Sequence, residues 1–143
     1  LAPGGELLIA VPNAASWEAQ VGKAHWFHYD FPFHRVHFTP RAITALLQRG
    51  GFQVTSMDFF TPEYTIAGLA QTFLNFFLPK NALYSVLSHR RMTLSRWRGI
   101  VWSAVSLVLL IPFSPLLLLA FVLELLFRRT GAVLITAERR NDQ

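Results

Sequence analysis

The sequence of 143 residues contains no cysteine, so it forms no disulfide bond and offers no thiolate ligand for a metal. It shows no secretory signal, because residues 1–10 lack a basic start followed by a long apolar core. It also lacks an initial methionine, and residues 1–5 contain a Pro-Gly-Gly turn that we expect another segment to precede. The composition fits a reducing compartment, and we expect the chain to be a fragment of a longer protein.

A stretch of 24 residues, from Ile100 to Leu123, carries no charge, in a chain whose net charge is +5. About 20 apolar helical residues are enough to cross a bilayer. Pro112 and Pro115 divide the stretch into two arms of about 12 residues, and each arm as a helix is about 18 Å long, or about one leaflet. We predict a hydrophobic re-entrant hairpin over residues 100–128, with a single spanning helix as the alternative.

Basic residues flank this stretch on both sides, and loops rich in Lys and Arg tend to stay cytoplasmic and to meet anionic headgroups. Tryptophans beside an apolar stretch are typical of a membrane interface. We assign to the membrane interface Trp97, Trp102, Arg96, Arg98, Arg128 and Arg129. Glu124 is costly in hydrocarbon, so we expect it to snorkel, to pair or to face protein, and Arg128, one helical turn away, is the natural partner. The sequence thus predicts the cytoplasmic face of a membrane as partner, and no nucleic acid.

The first part of the chain has the pattern of an α/β unit. An apolar strand over residues 6–12 ends in proline, and a long connection rich in aromatic residues and histidine follows over residues 13–38. Thr39-Pro40 begins a helix that Gly50-Gly51 ends, because Thr is a favourable N-cap and Gly a favourable stop. Residues 52–59 alternate as a second strand.

Four segments follow from these patterns. Residues 1–62 form the α/β part, and residues 63–99 form an amphipathic helical segment that fits either core packing or a helix lying on the membrane. Residues 100–128 form the hydrophobic hairpin. Residues 129–143 contain a final strand, 131–137, and a polar tail.

Histidines in the long loop are the candidates for chemistry, because an imidazole titrates near pH 6.5 and suits a general base at neutral pH. The pairs His25/His28 and His34/His37 have His-x-x-His spacing, which also allows a metal. No cysteine and no helical His-Glu motif accompanies them, and we expect no metal. The alternative is that these histidines brace the loop through hydrogen bonds.

Three pieces of the sequence resemble the C-terminal half of the class I S-adenosylmethionine-dependent methyltransferases. The first piece, Leu1–Gly5 with Leu7–Asn13, is similar to the L-x-P-G-G turn and fifth strand of that family. The second, Asp30–His34 with His37–Pro40, is similar to a P-x-H-x-x-x-F-T stretch. The third, Gly51–Val54, is similar to the start of the sixth strand, G-F-x-V. Residues 131–137 would be the seventh strand, which in that family inserts antiparallel beside the fifth. The segment between resembles the hydrophobic hairpins of membrane-attached members.

The resemblance implies a partial Rossmann-like methyltransferase fold of class α/β, with strands five to seven, one helix and a helical, membrane-associated insertion. It makes His34 and His37 the catalytic candidates, because both lie within the matching stretch. The loop residues expected to bind substrate are Asn13, His25, Trp26 and His28. The glycine-rich cofactor loop and the ribose-binding acid of the family are not in the chain. S-adenosylmethionine is therefore expected only in the full-length protein, and no residue here is assigned to it.

Two functions remain open at this point. The first is the C-terminal, acceptor-side part of a membrane-associated methyltransferase, with a lipid-like or small-molecule acceptor and with the missing N-terminal half of the same domain as partner. We expect that this chain alone is inactive. The second is a non-catalytic membrane-anchoring or scaffold module.

Overall fold

Three strands and five helices make up the described part of the chain, which covers residues 4–30, 34–87 and 96–140 of a computed structural model, without the side chain of Arg96. The elements are β1 (Glu6–Pro12), α1 (Trp17–Gly22) with a 3-10 turn (Lys23–His25), α2 (Pro40–Arg49), β2 (Phe52–Asp58), α3 (Pro62–Leu74), α4 (Ala82–Leu87), α5 (Arg96–Leu126) and β3 (Ala132–Arg139). Parts of the turn at residues 1–5 and of the stretch 30–34 lie outside the described residues, as do Arg90 and Arg91.

The strands form one antiparallel sheet in the order β1–β3–β2, so the last strand of the chain lies in the middle. Ile135 of β3 is the register partner of Ile9 on one side and of Met57 on the other. Because β3 is antiparallel to both neighbours, β1 and β2 run in the same direction. The mixed α/β class and the three predicted strands are confirmed, and the segment between β2 and β3 returns to the sheet from which it left.

One face of the sheet carries the core. Ile135 of β3 and apolar side chains of β1 and β2 pack against Ile43 and Leu47 of α2. The predicted start of this helix is confirmed, since the Thr39 hydroxyl accepts a hydrogen bond from Ala42 N at 3.1 Å. On the opposite face, Leu8 of β1 is 63% exposed. Within the described residues, that side of β1 has no covering layer.

Helices α3 and α4 lie within the predicted amphipathic segment, and the packing of α3 is partly inverted. The buried residues of α3 include Thr65, Gln71 and Thr72, whereas Ile66 is 51% exposed. Asn75 ends α3, and its Oδ1 accepts from Gln71 Nε2 at 2.9 Å and from Asn81 N at 2.8 Å. Polar side chains thus join the two helices inside, beside the fully buried Leu74, while Ile66 faces outward.

Residues 96–126 form one continuous helix, α5, with both prolines inside it. The prediction of a two-armed hairpin over residues 100–128 is therefore wrong. Pro115 has no N–H for the carbonyl of Ile111, one turn earlier, and Ser114 Oγ donates to that carbonyl at 2.7 Å instead. The neighbouring serine satisfies the backbone group that proline leaves unpaired, which allows the helix to continue.

Candidate functional site

Asn13 lies at the carboxyl end of β1 and holds both ends of the aromatic loop together. Its side chain is fully buried, and its Nδ2 donates to the carbonyl of Thr130 at 3.0 Å. Its Oδ1 accepts from Ala15 N at 3.0 Å, and the neighbouring Ala14 N donates to Phe38 O at 2.9 Å. The predicted substrate-binding residue Asn13 is thus placed where it braces the loop.

The four histidines of the loop separate into two places. His25 lies at the end of α3, where its Nδ1 donates to Asn75 O at 2.7 Å and its ring stacks on Phe76. His28 and His37 lie beside the buried Trp26, whose ring centroid is 5.5 Å from that of His28 and 5.3 Å from that of His37, and His34 lies next to His37. Their arrangement does not form a metal site of three or more His, Cys, Asp or Glu among the residues described.

His28, His34 and His37 differ in what they can contact. His37 Nε2 donates to the carbonyl of His28 at 2.9 Å, which makes His37 a brace of the loop. His34 is exposed, and its ring centroid is 6.3 Å from that of His37. His28 is buried, with no hydrogen-bond partner at Nε2. Of the two catalytic candidates, His34 therefore has the side chain that a substrate can reach.

A small cavity of about 120 Å³ lies at the carboxyl end of β1. Its lining residues are Ala10, Val11, Pro12, His28, His34, Tyr64 and Ala132. Burial, together with the smaller effect of the nearby charges of His34 and His37, lowers the pKa of His28 to about 4. His28 is thus neutral at pH 7 and a weak base, suited to hydrogen bonding through Nε2, whereas the exposed His34 lines the same cavity.

Behind this cavity lies a buried pair of carboxyl groups that the sequence did not reveal. Glu18 of α1 and Glu124 of α5 are each 3% exposed, and Glu124 Oε1 accepts from Glu18 N at 3.0 Å. Thr72 donates to Glu18 Oε2 at 3.3 Å. Glu124 makes no hydrogen bond to Arg128, so the pairing with that arginine is wrong, whereas the expectation that Glu124 faces protein is confirmed by its burial. The long helix instead reaches the α/β part through this contact.

Two glycines make room for the Glu18 carboxyl group. A Cβ atom at Gly131 would lie 2.6 Å from Glu18 Oε1, which is too close for any side chain. A Cβ atom at Gly68 would lie 3.1 Å from His28 Nε2 and 3.5 Å from Glu18 Oε2. The imidazole and the carboxyl group therefore face the same point on α3. Burial raises the pKa of Glu18 well above its ordinary value, and the adjacent Glu124 raises it further, so this carboxyl group retains a proton.

Helix α5 is exposed along most of its apolar surface. Among the described residues, Trp97–Leu126 is long and apolar enough to cross a membrane by length and composition, and 6% of its most apolar window of 18 residues is buried. Its buried positions include Ser106 and Glu124, whereas Ile111 is 72% exposed. Polar groups inside and apolar groups outside suit a helix whose surroundings are apolar, and not the core helix of a soluble domain.

The residues predicted for the membrane interface lie at the two ends of α5. Trp97 and Arg98 are exposed at its start, and Arg128 and Arg129 are exposed beyond its end. Trp102 is half-buried one turn after Arg98. The backbone of Arg96 begins the helix, and its side chain is outside the described part. Since α5 is one helix of 31 residues, the two groups lie about 46 Å apart.

The residue that sequence reasoning missed is Glu18, together with its partner Thr72. Glu18 stands in the first turn of a short helix, where an acidic residue is ordinarily a solvated partner of the helix dipole. Only Gly131, 113 positions later, indicates that something large lies against the chain there.

Comparisons with protein-family models, with curated proteins and with solved structures find no match to this chain.

Proposed function

We propose that this chain is the acceptor-side, C-terminal part of a membrane-attached S-adenosylmethionine-dependent methyltransferase. The observation that supports this proposal most is the position of β3, which lies antiparallel beside β1 although residues 13–131 separate the two strands. The resemblance noted in the sequence implies this place for its seventh strand. In the described sheet β1 is an edge strand, and its free edge is where the rest of the sheet would join.

The position of the small cavity also supports the proposal. In open α/β sheets, ligands bind beyond the carboxyl ends of strands, and this cavity adjoins the last residues of β1. His34 would accept the proton that an acceptor oxygen or nitrogen must lose, and His28 would hold the acceptor by a hydrogen bond through its free Nε2. S-adenosylmethionine would supply the methyl group when bound. Its known family contacts are not in this chain, and no residue here is assigned to it.

The attachment to the membrane would take place without crossing it. Lys80 Nζ, beyond α3, donates to the carbonyls of Ala24 at 3.1 Å and Tyr29 at 2.6 Å, so the end of α3 lies beside the aromatic loop. If the start of α5 stood on the far side of a bilayer, the segment after Lys80, which includes Arg90 and Arg91, would have to cross hydrocarbon at high cost. A helix lying in the interface on the cytoplasmic side avoids that cost.

Methyl transfer by the natural polypeptide that contains this chain, assayed in its own membranes, tests the proposal. With methyl-labelled S-adenosylmethionine, label should pass into a membrane-extractable or small-molecule acceptor. The non-catalytic anchoring module is favoured by the bracing hydrogen bonds of His25 and His37, which occupy two of the four histidines. Membrane binding without any transfer of label would establish that second function and overturn the first.

A further inference from the structure

An apolar groove lies between α3 and α5, and both helices supply its walls. Its volume is about 560 Å³, and its lining side chains are apolar apart from one serine. Ile66, Leu69 and Ala70 line it from α3, and Leu118 and Phe121 are among the residues that line it from α5. We call it the α3–α5 groove. It shares no lining residue with the cavity at the end of β1, so it is a separate feature of the molecule.

Ring contacts show how α3 lies along α5. The ring centroid of Phe60, two residues before α3, is 6.1 Å from that of Phe121, and the centroid of Phe73, near the end of α3, is 5.0 Å from that of Phe113. Helix α3 therefore runs antiparallel to the second half of α5. Whatever surrounds that half of α5 also surrounds the outer face of α3.

The polar side chains of α3 face inward and are hydrogen-bonded within the protein. Gln71 Oε1 accepts from Tyr84 N at 2.9 Å, and Thr72 Oγ1 accepts from Phe27 N at 3.0 Å. Leu74 is buried beside them, and the outer face of α3, which lines the groove, is apolar. Hydrogen bonds satisfied inside and apolar groups outside form the arrangement that a hydrocarbon environment favours.

The charges lie outside the apolar surface that the two helices share. Residues 64–79 contain no charged side chain, like residues 100–123 of α5. Cations stand beyond both stretches, at Lys80, Arg98 and Arg128. Of the two acids next to them, Glu124 is buried and Glu63 is exposed in the first turn of α3. This pattern suits an uncharged layer that is bounded by anionic headgroups.

The extent of the exposed apolar surface indicates what fills the groove. A protein partner or a second copy of the chain in the α3–α5 groove would cover only the second half of α5. Val101 and Val108 of the first half are exposed as well, and 6% of the most apolar window of α5 is buried. Large contiguous apolar patches mark interaction surfaces, and a bilayer covers both halves of α5 at once.

We infer that α3 lies in the membrane together with α5, and that acyl chains of bilayer lipids fill the α3–α5 groove. The inference rests on the membrane attachment proposed above, to which it adds a second helix and a lipid site. It does not depend on methyl transfer. A helix lying in the interface buries its apolar face about 5–10 Å into the boundary between headgroups and acyl chains, so the chains can reach the groove.

Fluorescent labels on single cysteines in the whole chain, bound to vesicles, test this inference, since the chain has no cysteine of its own. The labelled variants are Ile66→Cys in α3, Leu118→Cys in α5 and Leu46→Cys in α2. Leu46 is the matched control, because it is 52% exposed against 51% for Ile66 and α2 carries the exposed Arg41 and Arg49. The vesicles contain phosphatidylcholine and some phosphatidylglycerol, with or without bromine on the phosphatidylcholine acyl chains. Bromine should quench the labels at positions 66 and 118 by about half or more and leave the label at position 46 nearly unchanged.

Charge substitutions at two of these positions give a second measurement. Ile66→Glu should weaken binding to the same vesicles about tenfold or more, because a carboxylate is costly in hydrocarbon. Leu46→Glu should bind like the unmodified chain. Both side chains are exposed, so circular dichroism should show that both variants fold. If Ile66→Glu does not fold, the quenching decides alone.

Three results would overturn the inference. Quenching at position 118 without quenching at position 66 would leave attachment to α5 alone, and so would equal binding of the two folded glutamate variants. Disulfide-linked dimers of Ile66→Cys without quenching would show that a second copy of the chain covers the groove. If the chain does not float with the vesicles at all, the proposed membrane attachment fails together with the inference.

Discussion

At the scale of single residues, the buried glutamates determine how α5 is attached. The backbone N–H of Glu18, in the first turn of α1, donates to the Glu124 carboxyl group, where a nearby hydroxyl or amide side chain would ordinarily accept. The Glu18 side chain lies against Gly131 and Thr72. Neither contact follows from sequence spacing, because Glu124 is 106 positions and Thr72 is 54 positions from Glu18. Local rules give Glu124 an arginine partner one turn away, and only the tertiary packing turns it inward.

Replacing Glu18 by glutamine should stabilise the chain at high pH. The pKa of Glu18 is raised in the folded state, so the stability that its proton provides is complete below the ordinary value of 4.5 and is lost as pH rises through the folded pKa. Glutamine carries no charge to bury. We expect Glu18→Gln to raise the Tm by about 3 °C or more at pH 8 and to leave it nearly unchanged at pH 4.5.

Thermal unfolding in micelles at both pH values measures this effect. Glu63→Gln, at an exposed glutamate, should leave the Tm unchanged throughout. A Tm of Glu18→Gln below that of the unmodified chain at pH 8 would show that Glu18 is needed as an anion.

His34 should act in catalysis and not in stability. In the natural polypeptide that contains this chain, His34→Ala should lower the methyl-transfer rate about a hundredfold or more, which is the usual contribution of a general base. The side chain is exposed, so the Tm should change little. Val36→Ala, two residues away and also exposed, is the matched control and should keep the rate. A lower Tm with an unchanged rate per folded molecule would make His34 a brace.

For His37 the same substitution should affect stability more than rate. Its imidazole donates to the carbonyl of His28 and contacts the ring of Trp26, so removing it loosens the loop. Rate and Tm measured together on His37→Ala separate the two effects. Exposure and hydrogen bonding therefore favour His34 over His37 as the catalytic candidate, as their positions in the sequence also did.

At the scale of elements, the strands and α2 were predictable and the course of α5 was not. The apolar run before Pro12 and the Thr39-Pro40 start are local signals whose meaning does not depend on distant contacts. Pro112 and Pro115 indicated a break, because two prolines ordinarily end a helix in water. In α5 the exposed apolar surface and the Ser114 bond to the Ile111 carbonyl favour continuation.

Distances between spin labels distinguish a continuous α5 from a hairpin. The chain has no cysteine, so labels can be attached at Val101→Cys and Leu126→Cys without other changes. Both positions are exposed, and 25 helical rises separate them by about 38 Å. The pair Val101→Cys and Ile111→Cys, at about 15 Å in either arrangement, is the control. A distance near 10 Å for the first pair would restore the hairpin.

At the scale of the whole molecule, the sheet and both ends of α5 should lie on one side of the membrane. In sealed vesicles, Trp97→Cys at the start of α5 and Glu138→Cys in β3 should both react with an impermeant maleimide added outside. Both side chains are exposed. Opening the vesicles with detergent gives the total reactivity for each position. Protection of Trp97→Cys alone would mean that α5 crosses the bilayer.

The central claim is that this chain is one half of a cofactor-binding domain, and calorimetry with S-adenosylmethionine tests it most directly. The chain alone should show no measurable binding, because the residues expected to hold the cofactor lie outside it. The natural polypeptide that contains the chain should bind with an affinity typical of an enzyme, about 1 μM to 1 mM. Binding to residues 1–143 alone, or no binding to the longer polypeptide, would contradict the account.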